Sequence, residues 1–211
     1  MRAGDGFMIS IVDYGMGNLG SIQNMLRKLG VRSQFVSEPA QVEAATKLVL
    51  PGIGHFAAGM EALEARGLVP ALNAAVLERR VPVLGICLGM QLMTRRSEEG
   101  GAKGLGWIAA DTRRFNFETL AQRLPVPHMG WTDVTVAGCP ALFKDIEQPT
   151  RFYFVHSYHV CLDDQSLEVV SAEYGYRFTA GFADRNIIGV QFHPEKSHVY
   201  GMSLLGNLAN L

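Results

Sequence analysis

The sequence predicts an α/β fold: one single-domain, open mixed sheet, largely parallel, with helices on both faces. Two observations carry this. Through the first half, short apolar runs alternate with stretches whose apolar residues recur at helical spacing, the pattern of consecutive βαβ units. From Trp107 to Val190 the chain shows short strand-like runs separated by turn signals, which read as antiparallel additions to the same sheet. No repeat, low-complexity tract or linker divides the halves, so residues 8–211 are expected to form one domain behind a loose extension over residues 1–7.

Taken in order, Met8–Val12 is a buried strand that ends at the turn-forming Asp13-Tyr14-Gly15. Leu19, Ile22, Leu26 and Leu29 share one helical face, and Gly30 is the stop. Val31–Val36 and Lys47–Leu50 supply the second and third strands. Residues 56–66 and 69–79 are expected as helices, with a break around Gly67 and Pro70. Val81–Ile86 is a β-branched run, and Leu88–Arg95 returns to helix. Arg151–Val155, Glu168–Ala172 and Ile187–Gln191 follow as the antiparallel strands, and a helix over residues 197–209 closes the fold.

Composition narrows the function classes. With 211 residues, 48% of them hydrophobic and 18% charged, the chain has the make-up of a globular enzyme. Nineteen basic residues against 20 acidic ones give neither the basic excess of a nucleic-acid binder nor a polybasic membrane tail. Cys87, Cys139 and Cys161 are odd in number, far apart and without a CxxC pair. That argues against a disulfide framework and a structural zinc site, and fits a reducing cytoplasm. The polar start and the lack of a long apolar run predict neither a signal peptide nor a membrane-spanning helix.

The most informative segment is Gly85-Ile86-Cys87-Leu88-Gly89, at a strand-to-helix junction. A nucleophile elbow needs this arrangement: a sharp turn lifts the nucleophile above the sheet, and small neighbours relieve crowding around its strained backbone. The N–H of Leu88 then points toward a developing oxyanion, and the helix start favours a thiolate. Among six histidines, His193 stands out, because Phe192-His193-Pro194-Glu195 follows a strand. In an extended segment His193 and Glu195 lie on one side, so Glu195 can hold the imidazole in the tautomer a base requires. Pro51-Gly52-Ile53-Gly54 follows the third strand, at the sheet end where ligands bind in open α/β folds. Asp13-Tyr14-Gly15-Met16-Gly17-Asn18 superficially suggests a phosphate loop, but it lacks both the third glycine and the P-loop lysine. His156 and His159, three apart on a strand-like stretch, are expected on opposite faces, which disfavours a shared metal ion.

Taken together, the segments resemble the class I, triad-type glutamine amidotransferases. Asp13–Leu19, Pro51–Gly54, Gly85–Gln91, Pro127–Trp131, Phe154–Tyr158 and Gly189–Ser197 occur in the family's order across nearly the whole chain. The resemblance is strongest to the branch of glutaminase subunits of imidazole glycerol phosphate synthases. It implies a flavodoxin-like sheet and a Cys87–His193–Glu195 triad that hydrolyses L-glutamine through a thioester, with no cofactor or metal. It also implies oxyanion donors at Leu88 and the Gly52–Ile53 turn. Gln91 and Glu99 are implied for the substrate's amide or amino group, and His156, Ser157 and Tyr158 border its carboxylate. The partner it implies is a separate (β/α)8 cyclase subunit, in a heterodimer of histidine biosynthesis. Thr132 stands where that branch usually has Asn and His198 where Gly is common, while Gly104-Leu105-Gly106-Trp107 and Ser197-His198-Val199-Tyr200-Gly201 look more like paralogues that supply ammonia for amidating surface-polysaccharide sugars. The elbow alone also fits a cysteine hydrolase of esters or peptides, and the fold alone an inactive scaffold subunit.

Overall fold

The computed structural model describes residues 8–118, 123–137, 141–146 and 149–211. The expected extension over residues 1–7 and Cys139 lie outside the described residues. The first half supplies β1 (Ile9–Val12), α1 (Leu19–Lys28), β2 (Ser33–Val36), α2 (Pro39–Glu43), β3 (Leu48–Leu50), α3 (Phe56–Ala65), α4 (Leu68–Asn73), β4 (Val83–Ile86) and α5 (Leu88–Leu92). The second half adds β5 (Arg96–Ser97), β6 (Ala110–Arg114), β7 (His128–Val136), β8 (Thr150–His156), β9 (Tyr158–Leu162), β10 (Glu168–Tyr174), β11 (Tyr176–Asp184), β12 (Ile187–Val190) and α6 (His198–Ala209).

These strands make one sheet in the order β2-β1-β3-β4-β12-β11-β10-β7-β8, with β9, β6 and β5 branching from β11. From β2 to β12 every pairing is parallel. Beyond β12 the main path is antiparallel. All four residues of β1, of β4 and of β12 are buried, as a sheet covered on both faces demands. Ile187–Val190 is antiparallel on one edge only, against β11, and is not a simple addition at the sheet's margin. It returns to the middle of the sheet and runs parallel to β4, with Val190 opposite Ile86.

Local chemistry explains the helix ends. On α1, Ile22 and Leu26 face the core, and burying two such side chains is worth about 1.5–3 kcal/mol each. Gly30, at φ +72°, stops it: the N–H of Gly30 bonds to the Arg27 carbonyl and that of Val31 to Leu26, a Schellman end. Left-handed Gly67 makes the break between α3 and α4, and α4 runs on into a π-helical turn over Ala74–Glu78. The helix expected over Leu88–Arg95 stops at Leu92. The carbonyls of Leu92, Met93 and Thr94 are taken by the N–H groups of residues 105–108 rather than by a further turn. Two apolar clusters fill the space on either side of the sheet, one around Phe56, Leu63 and Leu88, the other around Phe152, Phe154 and Phe192.

Candidate active site

Cys87 sits between the end of β4 and the start of α5 with φ +52° and ψ −109°. A side chain in the left-handed region is strained, and such strain persists where the surroundings fix it. Here the Cys87 N–H donates to the Val190 carbonyl at 2.8 Å, and the Cys87 carbonyl accepts from the Gln91 N–H at 3.2 Å. The loop after β3 packs directly on this elbow. A side chain on Gly89 would run into the Leu50 carbonyl, and a Cβ on Gly52 would lie 2.6 Å from the Tyr14 hydroxyl and 2.7 Å from Leu88 Cβ. The glycines are thus required by the approach of two backbone segments. Tyr14 clasps the same loop, its hydroxyl donating to the Pro51 carbonyl at 2.7 Å. The Asp13–Asn18 turn that superficially suggested a phosphate site here positions Tyr14.

His193, the base expected from the sequence, follows the end of β12, the strand beside the one that leads into Cys87. The N–H of His193 donates to the Tyr153 carbonyl at 2.9 Å, which fixes its backbone. Its Nδ1 lies 2.8 Å from Glu195 Oε1, and both side chains are buried. The two share one side for a reason other than strand alternation. Pro194–Lys196 is a 3₁₀ turn that swings Glu195 back, and Ser197 Oγ ties the turn to the His193 carbonyl at 2.6 Å. His193 Nε2 is buried and makes no hydrogen bond of good geometry within the chain. Burial opposes its protonation, but the charges of Cys87 and Glu195 outweigh burial and push its pKa up to about 10. The imidazole is therefore held as a cation between a sulfur and a carboxylate.

A cavity of about 260 Å³ opens over the sulfur. It is lined by Cys87, Leu88, Gln91, Glu99, His156, Ser157, Tyr158, His193 and Ile53, with Gly54, Pro127 and Val155. Two residues expected at the site do not line it: Gly52 packs against Leu88 and Gly89 of the elbow, and Glu195 lies behind His193. Glu99 has a structural duty as well, since Oε2 accepts the Phe56 N–H at 2.7 Å and caps α3. His156 and His159 are not on one strand. The chain turns at Ser157, so His156 ends β8 while His159 lies on β9 and meets the Tyr176 hydroxyl at 3.0 Å. Among the described residues no group of three acidic, histidine or cysteine side chains is arranged to hold a metal ion. Cys87 and Cys161 are both free. A larger cleft of about 630 Å³, bordered by Arg113, Phe115, Cys161 and Tyr176, contains none of the triad.

Residues that sequence reasoning passed over complete the site. His128 Nδ1 lies 3.0 Å from His156 Nε2, and His156 Nδ1 lies 2.7 Å from the Tyr158 carbonyl. That carbonyl can only accept, so His156 carries its proton on Nδ1 and accepts from His128 on Nε2. Thr132 Oγ1, 2.8 Å from His128 Nε2, is then the donor at the far end. Burial lowers the pKa of His128 to about 4 and that of His156 to about 3. Gln191, fully buried, lies between Gln91 and Cys87. Its place directly before Phe192-His193 was the available signal.

The profile of the "Glutamine amidotransferase class-I" family matches residues 10–208. Over 200 residues the chain is 47% identical to "Imidazole glycerol phosphate synthase subunit HisH 2" of Methanococcus maripaludis, covering 95% of this chain and 98% of that one. The protein of the same name from Pseudomonas aeruginosa is 45% identical, covering 97% of this chain and all of that one. The solved structure of PurLQS from Thermotoga maritima superposes with a TM-score of 0.74 at 18% identity, over 98% of this chain and 99% of that one, a likeness of fold. The chain belongs to the class I glutamine amidotransferases, and within them to the HisH subunits of imidazole glycerol phosphate synthase.

Proposed function

We propose that this chain is the glutaminase subunit of an imidazole glycerol phosphate synthase in histidine biosynthesis. It hydrolyses L-glutamine and passes the ammonia to a separate (β/α)8 cyclase subunit in the cytoplasm. The observation that carries the chemistry is the strained Cys87 set beside a buried His193–Glu195 pair at 2.8 Å. The Cys87 sulfur attacks the carboxamide carbon of glutamine, and the N–H groups of Leu88 and the Gly52–Ile53 turn receive the negative oxygen. The His193 cation gives its proton to the departing nitrogen, the C–N bond breaks, and ammonia leaves behind a thioester. Neutral His193 then takes a proton from water, the hydroxide adds to the thioester, and glutamate departs with the thiolate restored. Throughout, Glu195 holds the Nδ1 proton and stabilises the cation.

Glutamine's polar ends have partners in the cavity. The carbonyl of Gln91 and the carboxylate of Glu99 suit its ammonium, and the turn at Ser157 borders its carboxylate. Exposed Met129, Trp131 and Val199, with His198 stacked on Trp131 at 5.6 Å, offer the cyclase an apolar surface. Among the described residues no helix is long and apolar enough to cross a membrane. Ammonia and glutamate release should be measured with and without a cognate cyclase barrel. Turnover that the barrel stimulates and Cys87→Ala abolishes is expected. Glutamine turnover indifferent to the barrel would move the partner to a synthase that amidates sugars. Unchanged turnover in Cys87→Ala would overturn the mechanism.

A further inference from the structure

Three amides and a sulfur lie in one line beneath the cavity. Gln91 Nε2 is 3.0 Å from the Tyr158 carbonyl and 3.0 Å from Gln191 Oε1, and Gln191 Nε2 is 3.6 Å from Cys87 Sγ. Carboxamide orientations follow from their partners, and here the line has a fixed end. The Tyr158 carbonyl cannot donate, so the nitrogen of Gln91 must face it. That nitrogen's second hydrogen then meets Gln191, which must offer its oxygen. The only orientation left for Gln191 turns its NH₂ toward the sulfur. Gln191 is fully buried, so no water competes for that N–H.

We propose that Gln191 is a positioning residue for the nucleophile, delivering an amide N–H to the Cys87 sulfur in an orientation set through Gln91 by the Tyr158 carbonyl. It rests on Cys87 being the nucleophile. The remaining neighbours leave this role open. His193 faces the sulfur from beyond β12, the Val155 carbonyl lies 3.9 Å away and serves only a neutral thiol, and the Tyr14 hydroxyl is committed to Pro51. A thiol therefore donates to Val155, whereas a thiolate accepts from Gln191 and from the His193 cation. The same arrangement uses both hydrogens of Gln91, so its carbonyl is the group left for the substrate.

The test reads the thiolate without glutamine. Alkylation of Cys87 by iodoacetamide is followed against pH, by peptide mass, in the wild-type chain and in Gln191→Met, which keeps the side chain's length and removes the amide. Loss of a hydrogen bond to a charged sulfur should raise the midpoint by about one pH unit and slow alkylation near neutrality about tenfold. With the cyclase present, kcat should fall about as much while KM stays within about threefold, since a positioned sulfur matters in the transition state. A folded Gln191→Met with an unchanged midpoint overturns the proposal. Should that variant not fold, the wild-type chain decides. The side-chain ¹⁵NH₂ resonance of Gln191 should titrate with Cys87 and move on its alkylation, and a resonance indifferent to both overturns it. Wild-type protein inert toward glutamine would refute the glutaminase reading, while the alkylation midpoint would still judge Gln191.

Discussion

His193 and His156 are equally hidden, 1% and 6% exposed, and yet they differ in charge: one pKa is pushed up to about 10, the other down to about 3. Burial acts in the same direction on both. The difference lies in what each element brings alongside. The parallel half of the sheet sets β12 next to β4, so His193 has a sulfur and a carboxylate for neighbours. The antiparallel half sets β7 against β8 with His128 opposite His156, and each imidazole finds only neutral partners. One histidine is thereby set among charged neighbours, and the other two stay neutral, with His156 in the wall of the cavity.

That contrast can be broken from either side. Glu195→Gln keeps the shape at His193 and removes the charge, so kcat for glutamine should fall about 10³–10⁴-fold, with the melting temperature little changed. On the neutral side, acid should unfold the protein through His128 and His156. Between pH 6.5 and their folded values of about 4 and 3, the unfolded chain binds protons that the folded chain does not. Stability should therefore fall as pH falls, by up to ~1.4 kcal/mol per pH unit for each group. Denaturant midpoints at about pH 7 and about pH 5 measure this, and His156→Gln should remove about half of the slope. His193 has the opposite sign: its raised pKa contributes stability that is full below pH 6.5 and is lost as pH rises through about 10.

A finer change would convert one environment into the other. Thr132→Asp puts a carboxylate where a hydroxyl now meets His128, and the imidazole should titrate about 1–3 units higher, read by NMR of labelled histidine. An unmoved His128 would show that burial, not the partner, governs this region. Thr132→Val, which only deletes the donor, should cost about 1 kcal/mol in a denaturant melt.

How much of this was readable beforehand follows the same division. The elbow and the His-Pro-Glu segment were legible because their chemistry is local: a turn needs small neighbours, and a base needs an acid nearby. Apart from the short α2 (Pro39–Glu43), which was not expected, the first-half strands and helices were legible to within a few residues for a similar reason, since each βαβ unit is a short-range pattern. The antiparallel edge of Ile187–Val190 was read, but its parallel edge was not, because an apolar run of that length fits a parallel or an antiparallel strand equally well. Only the pairing with β4 decides it. The early stop of α5 was hidden too, since the groups that take its carbonyls come from residues 105–108. His128 and Gln191 acquire meaning chiefly from neighbours far along the chain, 28 residues away for one and 104 for the other. Pattern reading has no access to such distances.

The insertion of β12 beside β4 also sets the order in which a growing chain becomes chemically competent. Cys87 leaves the ribosome long before Val190, whose carbonyl receives the Cys87 N–H at 2.8 Å. Until then β4 is an open edge, the elbow lacks one of its fixed points, and the thiol has neither base nor amide beside it. The nascent protein therefore carries an ordinary cysteine through most of its synthesis. Chains halted before residue 187 are predicted to aggregate through the uncovered β4 edge and, on the glutaminase reading proposed above, to be unreactive toward glutamine, so the final strand at once covers the sheet and completes the surroundings of the thiol.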